Sequence, residues 1–261
     1  MIMPISRWLQ SRKALHLAQI LLLLVVFLIL PLPANAATHI PVNSRLEEQV
    51  LQIIQDHPEV ILESVQAYQQ KQYEEQRQAS TAFLQEMKAN PQGAIGKSPT
   101  TGAKEQKIVL LEFSDFECPY CGKVDSDIKK FVDSHSQEIT LVYKHFPLAA
   151  IHPEALPSAK AAWAASQQGK FWEYHDALFA QQENLGETLY LETAKNLNLD
   201  LEQFNQDRNS TAANQAIGQD MLMAQRLGIS GTPFFVMNGE AFAGAVQLSD
   251  LEKVLARINK A

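Results

Sequence analysis

The chain has 261 residues, 46% of them hydrophobic, with 22 Lys and Arg against 29 Asp and Glu and a formal net charge of −7. At this length it can stand on a hydrophobic core of its own, and its two cysteines are too few for a disulfide-held scaffold. An acidic balance with no basic patch and no Arg-rich arm argues against a nucleic-acid partner.

Residues 1–36 read as an address, a signal peptide, rather than part of the fold. Arg7, Arg12 and Lys13 make a basic start, and Ile20 to Leu30 is an unbroken apolar run. Pro31 and Pro33 end it, and Ala34-Asn35-Ala36 is a small-x-small cleavage site. The run, at about 1.5 Å per residue, is too short for a hydrocarbon core of about 30 Å. Cleavage after Ala36 is the expected outcome; an uncleaved signal would tether the chain to a membrane. Either way the chain is expected to be exported, in a periplasmic or other extracytoplasmic compartment where disulfides persist. Loss of three basic residues then takes the charge from −7 to −10.

Residues 37–104 read as a helical arm followed by a linker. Ser44 can cap a first helix carrying Leu46, Val50, Leu51, Ile53 and Ile54. Asp56-His57-Pro58-Glu59 restarts the pattern with an Asp cap, Pro in the first turn and Glu at the capping-box position. The second helix carries Val60, Ile61, Leu62, Val65 and Tyr68 as a stripe and turns Gln-, Glu- and Lys-rich from Gln69 to Gln78. Asn90-Pro91-Gln92-Gly93 stops it, and Gly96 to Lys104 has the composition of a linker. A narrow apolar stripe on a polar arm outside the catalytic unit must be buried on its own domain or on a second copy. Residues 44–90 therefore predict a homo-oligomer as one of two outcomes.

Residues 105–261 change pattern. A strand at 108–113 leads into Cys118-Pro119-Tyr120-Cys121, then a helix near 119–134 with Val124, Ile128, Phe131 and Val132, then a strand from Ile139 to Lys144. From about 149 to 227 there is no strand signal; helices are expected at 158–182, interrupted at Gly169, and near 188–197 and 210–227. A strand returns at Pro233 to Met237, Asn238-Gly239 is a hairpin signal, a short strand runs through Phe242, and Leu248 to Ile258 is an amphipathic helix. The order is β-α-β, an all-helical insertion, then β-β-α, an α/β thioredoxin-type topology with helices inserted in its middle.

A strand that delivers a C-x-x-C to a helix start is a setting for thiol–disulfide exchange. Unpaired N–H groups and the positive end of the helix dipole favour a thiolate, the attacking and leaving species of the reaction. Cys118 at the cap, the more exposed thiol, is the expected nucleophile, and the more buried Cys121 the expected resolving thiol. A structural disulfide would close too small a loop to constrain the unfolded chain. Half a zinc site would need two more ligands, and the seven histidines show no paired spacing. Pro233, after Gly231-Thr232, is expected in cis, leaving the Thr232 backbone free to pair with an extended peptide; the bland alternative is an ordinary loop-to-strand junction. Glu112 lies mid-run in a strand expected to be buried on both faces, where its pKa would rise and it could exchange protons with Cys121. The alternative is a solvent-facing edge position. His145 is read as a surface histidine, or as a group approaching the site from its strand end.

These residues resemble the DsbA-like branch of the thioredoxin superfamily. The resemblance covers about residues 105–260. It rests on Cys118-Pro119-Tyr120-Cys121, Phe146-Pro147-Leu148 with His152-Pro153, the run from Gly169 to Asp176, and the run from Gly228 to Val236. It implies a nucleophile at Cys118, a resolving cysteine at Cys121, a cis-proline at Pro233 and a buried acid at Glu112, with Thr232, Pro233, Pro119 and Tyr120 meeting substrate. Phe171, Trp172 and Tyr174 read as core packing. The arm around His57-Pro58-Glu59-Val60 is similar to the leading helices of secreted relatives of oligomeric disulfide isomerases. The Pro-Tyr dipeptide is that of glutaredoxins rather than the Pro-His of strongly oxidising DsbA, and Thr232 before the proline is more isomerase-like.

The expected function is an exported thiol–disulfide oxidoreductase that exchanges a Cys118–Cys121 disulfide with substrate protein thiols, most of all as an oxidase. No metal or organic cofactor is implied. Its partners would be reduced or misoxidised exported proteins and a membrane redox protein, quinone-linked, that reoxidises it. The alternatives are a disulfide isomerase or reductase acting as an oligomer and, more distantly, a non-redox client-binding chaperone module.

Overall fold

A computed structural model describes residues 43–260; the expected signal segment 1–36 lies outside them. The chain divides into two compact units at Ser64 and Val65. In the first, helix α1 (Ser44–Asp56) is capped by Asn43, whose side chain accepts the Arg45 N–H, so Ser44 is the first helical residue rather than the cap. Asp56 ends α1, and α2 (Pro58–Ala89) starts one residue beyond His57. Leu46, Val50, Leu51, Ile53, Ile54, Ile61 and Leu62 are all exposed.

The second unit is built on a five-stranded sheet in the order β1-β3-β2-β4-β5: β1 (Thr100–Gly102), β2 (Ile108–Ser114), β3 (Ile139–His145), β4 (Phe234–Met237) and β5 (Glu240–Ala243). β2 runs parallel to β3 and antiparallel to β4, so it is central, and every one of its residues is buried. Helices on both faces explain its unbroken apolar run. Ile108 and Leu110 pack under α3 (Pro119–Ser134) and α9 (Leu248–Ile258), meeting Val124, Ile128, Phe131, Leu251 and Leu255. Val109, Leu111 and Phe113 face the other way, onto Met87 at the end of α2 and onto Ala224 and Leu227 of α8 (Thr211–Leu227). The end of α2 is thus part of the core around the sheet rather than an arm outside it.

The stretch read as a linker contains β1, whose three residues pair with Val142, Leu141 and Thr140 of β3. Three exposed residues of small or polar type carry no readable alternation. The helical insertion forms α4 (Ala155–Gln167), α5 (Phe171–Ala180), α6 (Glu187–Asn196) and α7 (Leu201–Arg208) before α8. The last of these short helices was not expected; it is capped by Asp200, whose carboxylate accepts the Glu202 and Gln203 N–H groups. Phe116, Tyr143, Phe171, Tyr174 and Tyr190 form the insertion's core with alanines of α4. Asn238 and Gly239 turn the β4–β5 hairpin at φ 43° and 89°, and a Cβ on Gly239 would stand 2.5 Å from the Leu84 carbonyl oxygen.

Candidate active site

β2 ends at Ser114, a turn covers Asp115 to Glu117, and Cys118 is the N-cap of α3 with Pro119 at the first helical position. Pro is suited to that place because its missing N–H is one the helix start leaves unpaired. The Cys118 N–H donates to the Asp115 carbonyl at 3.1 Å, and the Cys118 carbonyl accepts from Cys121 and Gly122 at 3.0 and 3.2 Å. Both thiols are free. Cys118 is 4% exposed and Cys121 fully buried, so the expected order holds, but Cys118 is far less open than a capping position suggests. Pro119 and Tyr120 are exposed beside it.

The Thr232–Pro233 peptide bond is cis. The Cys118 thiol donates to the Thr232 carbonyl at 3.4 Å, which brings the loop before β4 against the start of α3. Once ionised, the sulfur needs donors instead. The Cys121 thiol is the main one, burial opposes it, and the Thr232 hydroxyl and the Cys121 and Tyr120 N–H groups add to it, bringing the Cys118 pKa down to about 5. The second thiol thus outweighs the helix start on which the sequence argument rests. Burial, then the charge of Cys118, holds the Cys121 thiol well above the ordinary range, so the pair carries one thiolate and one thiol.

Strand alternation puts Glu112 on the α3 face with Ile108 and Leu110, cross-strand from Tyr143 and Phe235. It is buried, not at an edge. Burial first, then the nearby charge of Asp125 one turn beyond Cys121, raises its pKa to about 8. Ser114 Oγ has no well-aligned hydrogen-bond partner, yet it lies close enough to Glu112, Cys121 and Tyr143 to ease the burial of each.

His145 is not a surface group. It is 2% exposed, both ring nitrogens lack partners, and it packs edge-on against Tyr143 at 5.1 Å. Burial, with lesser pushes from His175 and Lys144, lowers its pKa to about 3, so it stays neutral.

Sequence reasoning missed the residues that stitch the insertion to the active turn, because the contacts join segments far apart in the chain. Gln182 Nε2 donates to the carbonyls of Phe116 and Cys118 at 2.6 and 2.9 Å. Asp115 accepts the Leu148 N–H at 3.0 Å and meets His152 Nδ1 at 2.7 Å. Glu117 accepts the Glu154 N–H at 2.5 Å, ahead of α4. Asp125, His175 and Asp176 bring one nitrogen and two carboxylates within 4.8 Å of each other. Asp176, however, is already held by His175 Nδ1 at 3.0 Å and Lys129 Nζ at 2.5 Å. The trio therefore reads as an ion-pair cluster rather than a metal centre.

A strand, a buried C-x-x-C at a helix start, and a cis-proline loop against the first sulfur make a thiol–disulfide exchange geometry. The thioredoxin family's profile matches residues 94–257. The chain belongs to that family. Among solved structures, a thioredoxin-like oxidoreductase from Silicibacter pomeroyi DSS-3 is 34% identical, with a TM-score of 0.59 over 64% of this chain and 94% of that one. The thiol-disulfide exchange protein alpha-DsbA2 from Wolbachia pipientis is 22% identical, with a TM-score of 0.59 over 69% of this chain and 96% of that one, and so shares the fold. The fold is thus that of the DsbA-like thioredoxin proteins. A Na(+)/H(+) antiporter, NhaA 3 of Salinispora tropica, is 36% identical over 150 residues, 58% of this chain. The chain spans only 23% of that antiporter's length. Among the described residues no helix is long and apolar enough to cross a membrane.

Proposed function

We propose that the protein is an exported thiol–disulfide oxidoreductase working as an oxidase on protein thiols. The observation that carries the reading is the placement of the two sulfurs, Cys118 at the start of α3 against the Thr232 carbonyl and Cys121 fully buried behind it, which makes Cys118 acidic with a pKa of about 5 and holds Cys121 as a thiol. A stabilised thiolate favours the reduced form and so makes the disulfide oxidising; the strongly oxidising DsbA works this way. A substrate thiolate attacks the Cys118 sulfur, the Cys118–Cys121 bond breaks, and Cys121 leaves. Glu112, protonated below a pKa of about 8, is suited to give Cys121 its proton. A second substrate thiolate attacks the substrate sulfur of the mixed disulfide, forms the product disulfide and releases the Cys118 thiolate.

Polypeptide substrates are supported by a groove of about 1210 Å³ leading to the cis-proline loop, lined by Phe146, Met221, Leu222, Ile229 and Ser230. Pro119, Tyr120, Thr232 and Pro233 would meet the bound chain. Export is supported by the basic start, apolar run and Ala34-Asn35-Ala36. An exported oxidase needs a membrane redox partner to restore its disulfide. The test is the equilibrium reduction potential against glutathione. An oxidase should lie between about −120 and −180 mV, and a value at or below about −230 mV sinks that role.

A second reading, an oligomeric isomerase or reductase, is favoured by the exposed apolar residues of α1 and the start of α2. Light scattering on the mature chain and on a chain starting at Val65 tests it. A monomer in both rejects self-association through this segment.

A further inference from the structure

A second titratable pair stands beside the reacting sulfurs, and the exchange steps above do not use it. His152 Nδ1 is 2.7 Å from Asp115 Oδ2, and that carboxylate side chain is fully buried. The same oxygen accepts the Leu148 N–H at 3.0 Å, and Oδ1 accepts the Glu117 N–H at 2.9 Å. An ionised carboxylate can only accept, so the ring presents Nδ1–H to it, leaving Nε2 as the atom that gains or loses a proton. The imidazole is 17% exposed, open enough to exchange that proton with water. Asp115 also accepts the Cys118 N–H through its backbone carbonyl at 3.1 Å, so one residue ties the ring and the sulfur together.

We propose that His152 is the counter-ion of the Cys118 thiolate, taking up a proton when the Cys118–Cys121 disulfide is reduced and releasing it when the disulfide re-forms. The inference rests on the exchange reading above. Two substrate thiols supply two electrons and two protons. The electrons break the Cys118–Cys121 bond while the substrate sulfurs join. One proton ends on the Cys121 sulfur and the other on His152 Nε2, leaving an anionic Cys118 and a cationic ring joined through Asp115. The charged groups facing the ring are Asp115, Glu117 and Cys118 from the active turn. Glu154, on the ring's own segment, is engaged by the Tyr190 hydroxyl at 2.8 Å. Burial lowers the ring's proton affinity, but Asp115, then Cys118 and Glu117, outweigh it and raise the pKa above the ordinary value. Linkage makes the effect reciprocal: protonated His152 acts on Cys118 as the thiolate acts on His152, an addition to the Cys121 thiol, which dominates the acidity of Cys118.

The test is a proton NMR titration of His152 in the oxidised and reduced mature protein, alongside the 240 nm thiolate absorbance of Cys118. The expected result is a His152 proton affinity about three- to tenfold higher in the reduced state. In His152→Gln, the acidity of Cys118 should fall by a similar factor. An unchanged His152 titration between the two states, with Cys118 still acidic, overturns the inference and leaves the exchange reading standing. A Cys118 thiol of ordinary pKa in the unsubstituted protein removes both. The NMR comparison needs no variant, so a misfolded His152→Gln would not blunt the test.

Discussion

Gln182 and Cys118 are 64 residues apart, yet the carboxamide of one donates to the backbone carbonyl of the other at 2.9 Å. The same Nε2 donates to the Phe116 carbonyl at 2.6 Å. The helical insertion thus fixes the turn that carries Cys118. Removing the carboxamide leaves the buried Phe116 carbonyl without this donor, a loss of about 1–3 kcal/mol. Gln182→Ala should therefore lower the urea midpoint and raise the Cys118 pKa. Gly122→Ala should act in the same direction, because its Cβ would stand 2.5 Å from Gln182 Oε1. Unchanged thiol titrations in both variants would show that the clamp is structural only.

The reduced protein should draw stability from its thiolate. The Cys118 pKa is lowered from 9.0 to about 5, and a lowered acid stabilises the fold most above its unfolded value. That contribution shrinks as pH falls from 9 towards 5. Reduced Cys118→Ala should be less stable than the reduced parent at pH 7 by on the order of 3 kcal/mol, with the gap closing near pH 5. Urea unfolding of both under reductant at pH 5, 7 and 9 measures it; parallel curves sink the claim.

Glu112 has the opposite sign. Its pKa is raised from 4.5 to about 8, so the folded chain holds a proton that the unfolded chain releases. Stability falls as pH rises between those values. Glu112→Gln should be more stable at pH 7 by on the order of 3 kcal/mol and little changed below pH 4.5. It should also slow substrate oxidation at pH 7, since Cys121 then lacks its proton donor. Stopped-flow oxidation of a dithiol peptide reads the rate, and an unaltered rate would remove Glu112 from the reaction.

How much of this was legible in the sequence follows the range of the contacts. The strand before Cys118, the helix after it and the Asn238-Gly239 hairpin are local signals, and so is the apolar run that buries Glu112. Thr232 and Pro233 could be joined to the cysteines only through resemblance, since 114 residues separate Cys118 from Thr232. β1 was hidden because an exposed edge of three residues needs no apolar pattern. Gln182, Asp115 and His152 are polar residues whose meaning depends on partners the insertion brings from elsewhere. A His paired with a buried carboxylate leaves no trace in spacing. His145 shows the converse: a lone histidine at a strand end gave no hint that aromatic rings enclose it.

Lys144 and Asp220 supply the last expectation, a test of what joins the insertion's final helix to the sheet. Lys144 Nζ reaches Asp220 Oδ1 at 3.3 Å, Ser98 Oγ at 2.8 Å and the Ile95 carbonyl at 3.1 Å, with its side chain only 3% exposed. Asp220 Oδ2 accepts the His145 N–H at 3.0 Å. Burial pushes the Asp220 pKa up more than Lys144 and these hydrogen bonds pull it down, so the carboxylate is costly to keep ionised. Removing it alone still leaves Lys144 buried without its counter-charge. Asp220→Ala should cost about 3–5 kcal/mol. The double variant Lys144→Met with Asp220→Leu should recover most of that loss, because desolvating an ion pair offsets much of its attraction. Thermal unfolding of the three proteins decides it. A double variant no more stable than Asp220→Ala would mean that the hydrogen bonds to Ile95, Ser98 and His145, rather than the charge pair, hold α8 to β3.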